Sequence, residues 1–150
     1  YALGTAGNIS VRTDDNLFVI TPTSMPYDKL TEDDFVVADM EGNIVDGIRK
    51  PSCEFSMHRF IYIKRPDVKA VSHNHSTFST AAASIKGVNV IPPIDIEAVL
   101  YLGGDVRVAA FAPPGSIDLA NNVSEALGIR GGVLLQNHGA IGVGSKDSSR

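Results

Sequence analysis

Apolar positions come in short runs through the first third of the chain and in longer, helically spaced sets after it. Leu17 to Thr21 (L-F-V-I-T) and Phe35 to Met40 (F-V-V-A-D-M) are β-branched and aromatic, and the second run meets the turn E-G-N and then I-V, which predicts a hairpin. I-S-V-R, ahead of them, is strand-like. From Glu54 to Lys64 the apolar residues Phe55, Met57, Phe60, Ile61 and Ile63 gather broadly on one side at helical spacing, with Pro66 as a stop. Val68 to His75 reads as a strand, Thr77 to Ile85 and Ile94 to Leu102 as helices, and Val106 to Phe111 as a strand. Ser116 to Leu127 has a serine cap in front and Gly128 behind, the ends of a helix. V-L-L-Q-N and A-I-G-V-G then flank Asn137-His138-Gly139 as two strands around a tight element. Strands first and helices interleaved later predict an α/β or α+β fold, a helix-covered sheet.

Composition narrows this picture. With 150 residues, 43% of them hydrophobic, the chain suits one domain over 1–150 with a core that needs no staples. The formal net charge is −4, and no basic cluster exceeds Arg49-Lys50 or Lys64-Arg65, which excludes a nucleic-acid partner on electrostatic grounds. Cys53 stands alone, so no internal disulfide framework exists, and a reducing compartment, the cytoplasm, is expected. No apolar stretch approaches the roughly 18 residues of a membrane helix. The chain opens on Tyr1 and closes on the polar run K-D-S-S-R, so native segments are expected beyond both ends.

V-S-H-N-H-S places two histidines two positions apart at the end of an apolar run. In a strand, side chains at i and i+2 leave one face about 7 Å apart, so His73 and His75 can converge while Asn74 points away. Catalytic zinc typically takes three protein ligands, with nitrogen at about 2.0 to 2.1 Å, and keeps one position open. Of the remaining histidines, His138 in N-H-G is the better third candidate, because Gly139 permits close backbone approach. His58 lies within a predicted helix and reads as a surface or internally satisfied histidine. H-x-H alone is a weak pattern, so an ordinary polar strand end stays open at this level.

Two loops could hold an anion. Gly4-Thr5-Ala6-Gly7-Asn8 can aim successive backbone N–H groups at one point, as a nest does. It lacks the Lys-Ser or Lys-Thr of a nucleotide P-loop and the G-x-G-x-x-G fingerprint. Thr21-Pro22-Thr23-Ser24 offers hydroxyls at a strand end, and Ser52 resembles an N-cap of the helix starting near Glu54, where free N–H groups favour negative charge. A turn and a plain cap are the alternative readings of these segments.

The ordered set G-T-A-G-N-I-S, I-T-P-T-S, P-S-C-E, H-N-H-S and N-H-G resembles the class II aldolase/adducin family over nearly the whole chain. The resemblance implies a three-layer α-β-α fold with a central, mostly antiparallel sheet, assembled as a homotetramer with active sites at subunit interfaces. It implies a Zn2+ ion on His73, His75 and His138, with Glu54 as the acid/base. It also implies phosphate binding by Gly7, Asn8, Thr23, Ser24, Ser52 and Cys53, on a small-molecule sugar phosphate. The implied reaction is retro-aldol cleavage of a sugar phosphate like L-fuculose 1-phosphate to dihydroxyacetone phosphate and an aldehyde, through a metal-stabilised enediolate. A 4-epimerase, dehydratase or decarboxylase on the same scaffold, or a non-catalytic adducin-like module, are the alternatives.

The sequence departs from the family pattern at Ser24, where glycine is usual, and at Cys53, where serine is common. In I-P-P-I-D-I-E-A-V-L-Y-L-G-G, the segment that supplies the second acid/base in such aldolases, Glu97 takes the aligned position. Tyr101 is the weaker alternative there, and an exposed helix carboxylate the bland one.

Overall fold

The computed structural model describes residues 4–13 and 16–145. The first residues and the K-D-S-S-R run, near which further chain is expected, lie outside the described residues. Nine strands among these residues build one sheet: β1 (Asn8–Arg12), β2 (Leu17–Ile20), β3 (Val36–Asp39), β4 (Ile44–Asp46), β5 (Val68–Asn74), β6 (Val90–Ile91), β7 (Val106–Ala109), β8 (Gly132–Leu135) and β9 (Gly139–Ser145). Their order is β4-β3-β2-β1-β5-β9-β8-β7-β6. Each neighbouring pair is antiparallel except β7 and β8, which are parallel and joined through a helix, as parallel neighbours require.

Helices α1 (Phe55–Lys64) and α4 (Ile117–Leu127) pack against each other on one face of the sheet. Helix α2 (Thr77–Ala83) lies against β8 and β9 on the other face. Alternation along β8 sends Val133 and Leu135 into the core under α1 and α4, and Leu134 to the opposite side. The result is the expected helix-sheet-helix layering with a mostly antiparallel sheet.

Helix α4 forms where its cap and its spacing ask for it. Ser116 Oγ accepts the Leu119 N–H at 3.1 Å, and Leu119, Ala120, Val123 and Leu127 form the buried stripe. Burying each of the larger side chains stabilises the fold by about 1.5–3 kcal/mol. Helix α1 turns differently from the sequence expectation: Met57, His58, Ile61 and Tyr62 are inside, whereas Ile63 is half exposed at 49%. Phe18 of β2 stacks between Phe55 and Tyr62, with both ring centroids at 5.4 Å.

Smaller features also differ. Helix α3 (Ile96–Leu102) begins after the Pro92-Pro93 pair rather than at Ile94, because Asp95 Oδ1 caps it by accepting the Ala98 N–H at 2.7 Å. The N-cap of α1 is Glu54, not Ser52; Ser52 Oγ instead accepts the Glu54 N–H at 3.2 Å one turn earlier. Strand β6 is too short, at two residues, to leave a periodic signal. Among the described residues no helix is long and apolar enough to cross a membrane.

Candidate metal centre and anion pocket

Strand register assembles the site at one end of the sheet. Asn8 of β1 pairs with His73 of β5, and Asn74 pairs with Ala140 of β9. The tight β8–β9 connection, in which Asn137 takes φ 56° and the His138 N–H bonds to Leu135 O at 3.1 Å, returns the chain to that same end. His73 and His75 therefore meet His138 although 63 residues of chain or more separate them from it (138 − 75). The Nε2 atoms of His73 and His75 are 3.0 Å apart, and the three ring centroids are separated by 4.9, 4.9 and 5.2 Å. One ring nitrogen of each lies within 4.8 Å of the others.

The protonation states follow from surroundings. His73 Nδ1 donates to Ala140 O at 3.1 Å, which leaves the Nε2 lone pair facing inward, the orientation that a carbonyl behind the ring imposes on metal-binding imidazoles. Burial holds the His73 pKa down at about 3, and burial followed by His75 lowers that of His138. Neutral imidazoles are what a metal ligates.

Glu54 completes the cluster. Its Oε1 accepts the Gly115 N–H at 3.3 Å, while Oε2 is buried without a hydrogen-bond partner, 3.6 Å from His73 Nε2 and 3.9 Å from His138 Nε2. Burial raises its pKa to about 7, against the lowering effect of the Gly115 N–H. Neutral His73 and His138, the two imidazoles beside Oε2, offer it no counter-charge, and a buried unpaired carboxylate is costly. Three converging lone pairs and an orphaned carboxylate oxygen fit a divalent cation, the charge this set of donors lacks. Among the described residues it is the one such cluster.

All six anion candidates, Gly7, Asn8, Thr23, Ser24, Ser52 and Cys53, line one cavity of about 300 Å³ together with Glu54 and the three histidines. Gly7 takes φ 80°, and a Cβ there would collide with the His73 carbonyl oxygen, so only glycine lets β1 start beside the histidine cluster. Ser24, the position where the family pattern has glycine, also sits in the left-handed region at φ 56°. Glu97 and Tyr101 are not brought there: both lie on exposed α3 and line a separate, larger cavity of about 630 Å³ between α2, α3 and the sheet. Sequence reasoning missed the partner of Glu54, Gly115, in the P-P-G-S turn ahead of α4; that turn carried only the signal of a helix cap.

The sequence profile described as "Class II Aldolase and Adducin N-terminal domain" matches residues 1–147. The chain belongs to the class II aldolase and adducin family, and its likeness lies with the family's enzymes, the class II aldolases. It is 38% identical over 145 residues to the L-fuculose phosphate aldolase of Methanococcus maripaludis, covering 96% of this chain and 76% of that one. It is 38% identical over 148 residues to the 3-oxo-tetronate 4-phosphate decarboxylase of Haemophilus influenzae, covering 97% and 70%. A solved L-fuculose 1-phosphate aldolase superposes with a TM-score of 0.88 at 38% identity, covering 95% of this chain and 66% of that one.

Proposed function

We propose that the protein is a zinc-dependent lyase that cleaves a sugar phosphate of the L-fuculose 1-phosphate type to dihydroxyacetone phosphate and an aldehyde. The observation that carries this reading is the buried Glu54 Oε2, unpartnered and within 3.9 Å of two converging imidazoles. His73, His75 and His138 would hold the ion, and a bound Zn2+ supplies Lewis-acid polarisation of the ketose carbonyl. Glu54, with a pKa raised to about 7, is suited to take a proton from the carbon beside that carbonyl and to return it near neutral pH. Its Gly115 hydrogen bond keeps Oε1 occupied and so presents Oε2 to the substrate. Gly7, Asn8, Thr23, Ser24, Ser52 and Cys53 supply the backbone N–H groups and small polar side chains for the phosphate.

The aldehyde half needs its own acid or base, and Glu97 is our candidate. Within one chain it lies outside the metal cavity. Helix α3 has no buried residue and exposes Ile96, Val99, Leu100 and Tyr101, as expected of a helix covered in a homotetramer with sites at subunit interfaces. The decarboxylase relative supports a second reading, in which the same metal and glutamate act on an acidic sugar phosphate.

The test is a screen of the zinc-loaded, full-length protein against ketose phosphates and acidic sugar phosphates. Release of dihydroxyacetone phosphate supports the aldolase, release of carbon dioxide the second reading, and turnover of neither class overturns both.

A further inference from the structure

We infer that His58, outside the metal cluster, is a positioning residue that fixes which end of the Asn8 amide faces the anion pocket. His58 is fully buried at 0% exposure between α1 and β1. Its Nε2 lies 2.6 Å from Asn8 Oδ1, its Nδ1 lies 2.6 Å from Ser10 Oγ, and Ser10 Oγ lies 2.8 Å from Tyr62 Oη. Asn8 and Ser10 leave the same face of β1, two residues apart, and His58 and Tyr62 leave one face of α1, four apart. The four side chains form a single buried line from the core to the edge of the cavity.

Donor and acceptor chemistry give that line a direction. Tyr62 Oη accepts the Val71 backbone N–H and has its own hydrogen left to donate, so the line runs from Tyr62 through Ser10 to Nδ1, leaves the ring proton on Nε2 and sets the oxygen end of Asn8 against it. Ser10 then donates its hydroxyl hydrogen to Nδ1 and accepts in turn from Tyr62 Oη. A neutral imidazole has one donor and one acceptor, and burial keeps this ring neutral. Among the described residues His58 is the side-chain partner of Asn8, and with Oδ1 engaged the Nδ2 hydrogens are left for the cavity that Asn8 lines. Reversing the amide would turn its oxygen toward a bound anion, replacing attraction with repulsion. A leucine or phenylalanine at position 58 would pack in the core but would not choose between the two ends.

The proposal rests on the anion-pocket reading of Asn8, and the experiment separates the two. Inorganic phosphate is titrated into the metal-loaded, full-length protein as wild type, Asn8→Ala, His58→Leu, His58→Gln, Tyr62→Phe and the double variant Asn8→Ala/His58→Leu, with metal content measured alongside. A hydrogen bond to a charged group implies a loss of about tenfold or more in phosphate affinity for Asn8→Ala. His58→Leu is expected to lose a comparable factor while keeping its metal. The double variant should be no weaker than Asn8→Ala, because His58 acts only through Asn8. His58→Gln, which returns a donor near the Nε2 position, should recover most of the affinity, and Tyr62→Phe should give an intermediate loss. If Asn8→Ala weakens phosphate but His58→Leu or, should that variant not fold, Tyr62→Phe does not, the positioning role is overturned and the pocket reading stands. If Asn8→Ala leaves phosphate affinity unchanged, the pocket reading fails, and the inference with it.

Discussion

Glu54→Gln keeps the shape of the side chain and an oxygen for the Gly115 N–H, and removes the charge. In metal-free protein this substitution is expected to stabilise the fold at alkaline pH. Burial raises the folded-state pKa of Glu54 from its ordinary 4.5 to about 7. Between those two values the folded protein holds a proton that the unfolded chain has released. The wild type therefore loses stability as pH rises from about 4.5 to 7 and does not regain it above. At about 1.4 kcal/mol per pH unit, the interval amounts to about 3 kcal/mol at pH 8 and almost nothing at pH 4. Urea unfolding of both proteins in excess chelator, at pH 4 and pH 8, reads the difference directly. With metal restored the sign should invert, because the carboxylate then has its counter-charge. A difference between the two proteins that is the same at both pH values would refute the reasoning, since it would mean Glu54 is not buried as a strained carboxylate.

Other consequences are open to measurement. Gly7→Ala forces a Cβ into the His73 carbonyl at a left-handed φ, so it should cost about 1–3 kcal/mol in urea unfolding and weaken metal binding by moving β5. Leu127→Ala, at the end of α4 remote from Gly115, should cost about 2–5 kcal/mol in thermal or urea unfolding and leave metal stoichiometry at native conditions unchanged, because it enlarges the core away from the cavity. Glu97→Gln should impair cleavage of a full sugar phosphate by tenfold or more and spare proton exchange on dihydroxyacetone phosphate, measured by loss of label; equal effects on both would remove Glu97 from the aldehyde half.

The histidine cluster was legible in sequence because its signals are local. The period of two in a strand places His73 and His75 on one side, and N-H-G marks a tight turn whose glycine allows close approach. Their convergence is long-range, set by the β5–β9 register, and only the ordered motifs anticipated it. The roll of α1 was not legible: its apolar residues pointed to a stripe through Ile63, whereas the helix buries His58 instead. A polar residue inside is invisible to hydrophobic periodicity, and its partners Asn8 and Ser10 lie 50 and 48 residues away in the chain. Ser52 misled for a related reason, since a serine accepting the N–H two residues on looks in sequence like an N-cap. The Gly115 bond to Glu54 crosses 61 residues, and neither turn's sequence points to the other.

The central claim is a three-histidine metal site worked by Glu54, and metal analysis of the full-length protein tests it most directly. About one zinc per chain is expected in the wild type. In His75→Ala, folded by circular dichroism, that zinc should be lost, and proton exchange on dihydroxyacetone phosphate should vanish with it. A folded wild type that binds no divalent metal, or a His75→Ala variant that retains both metal and exchange, would contradict it.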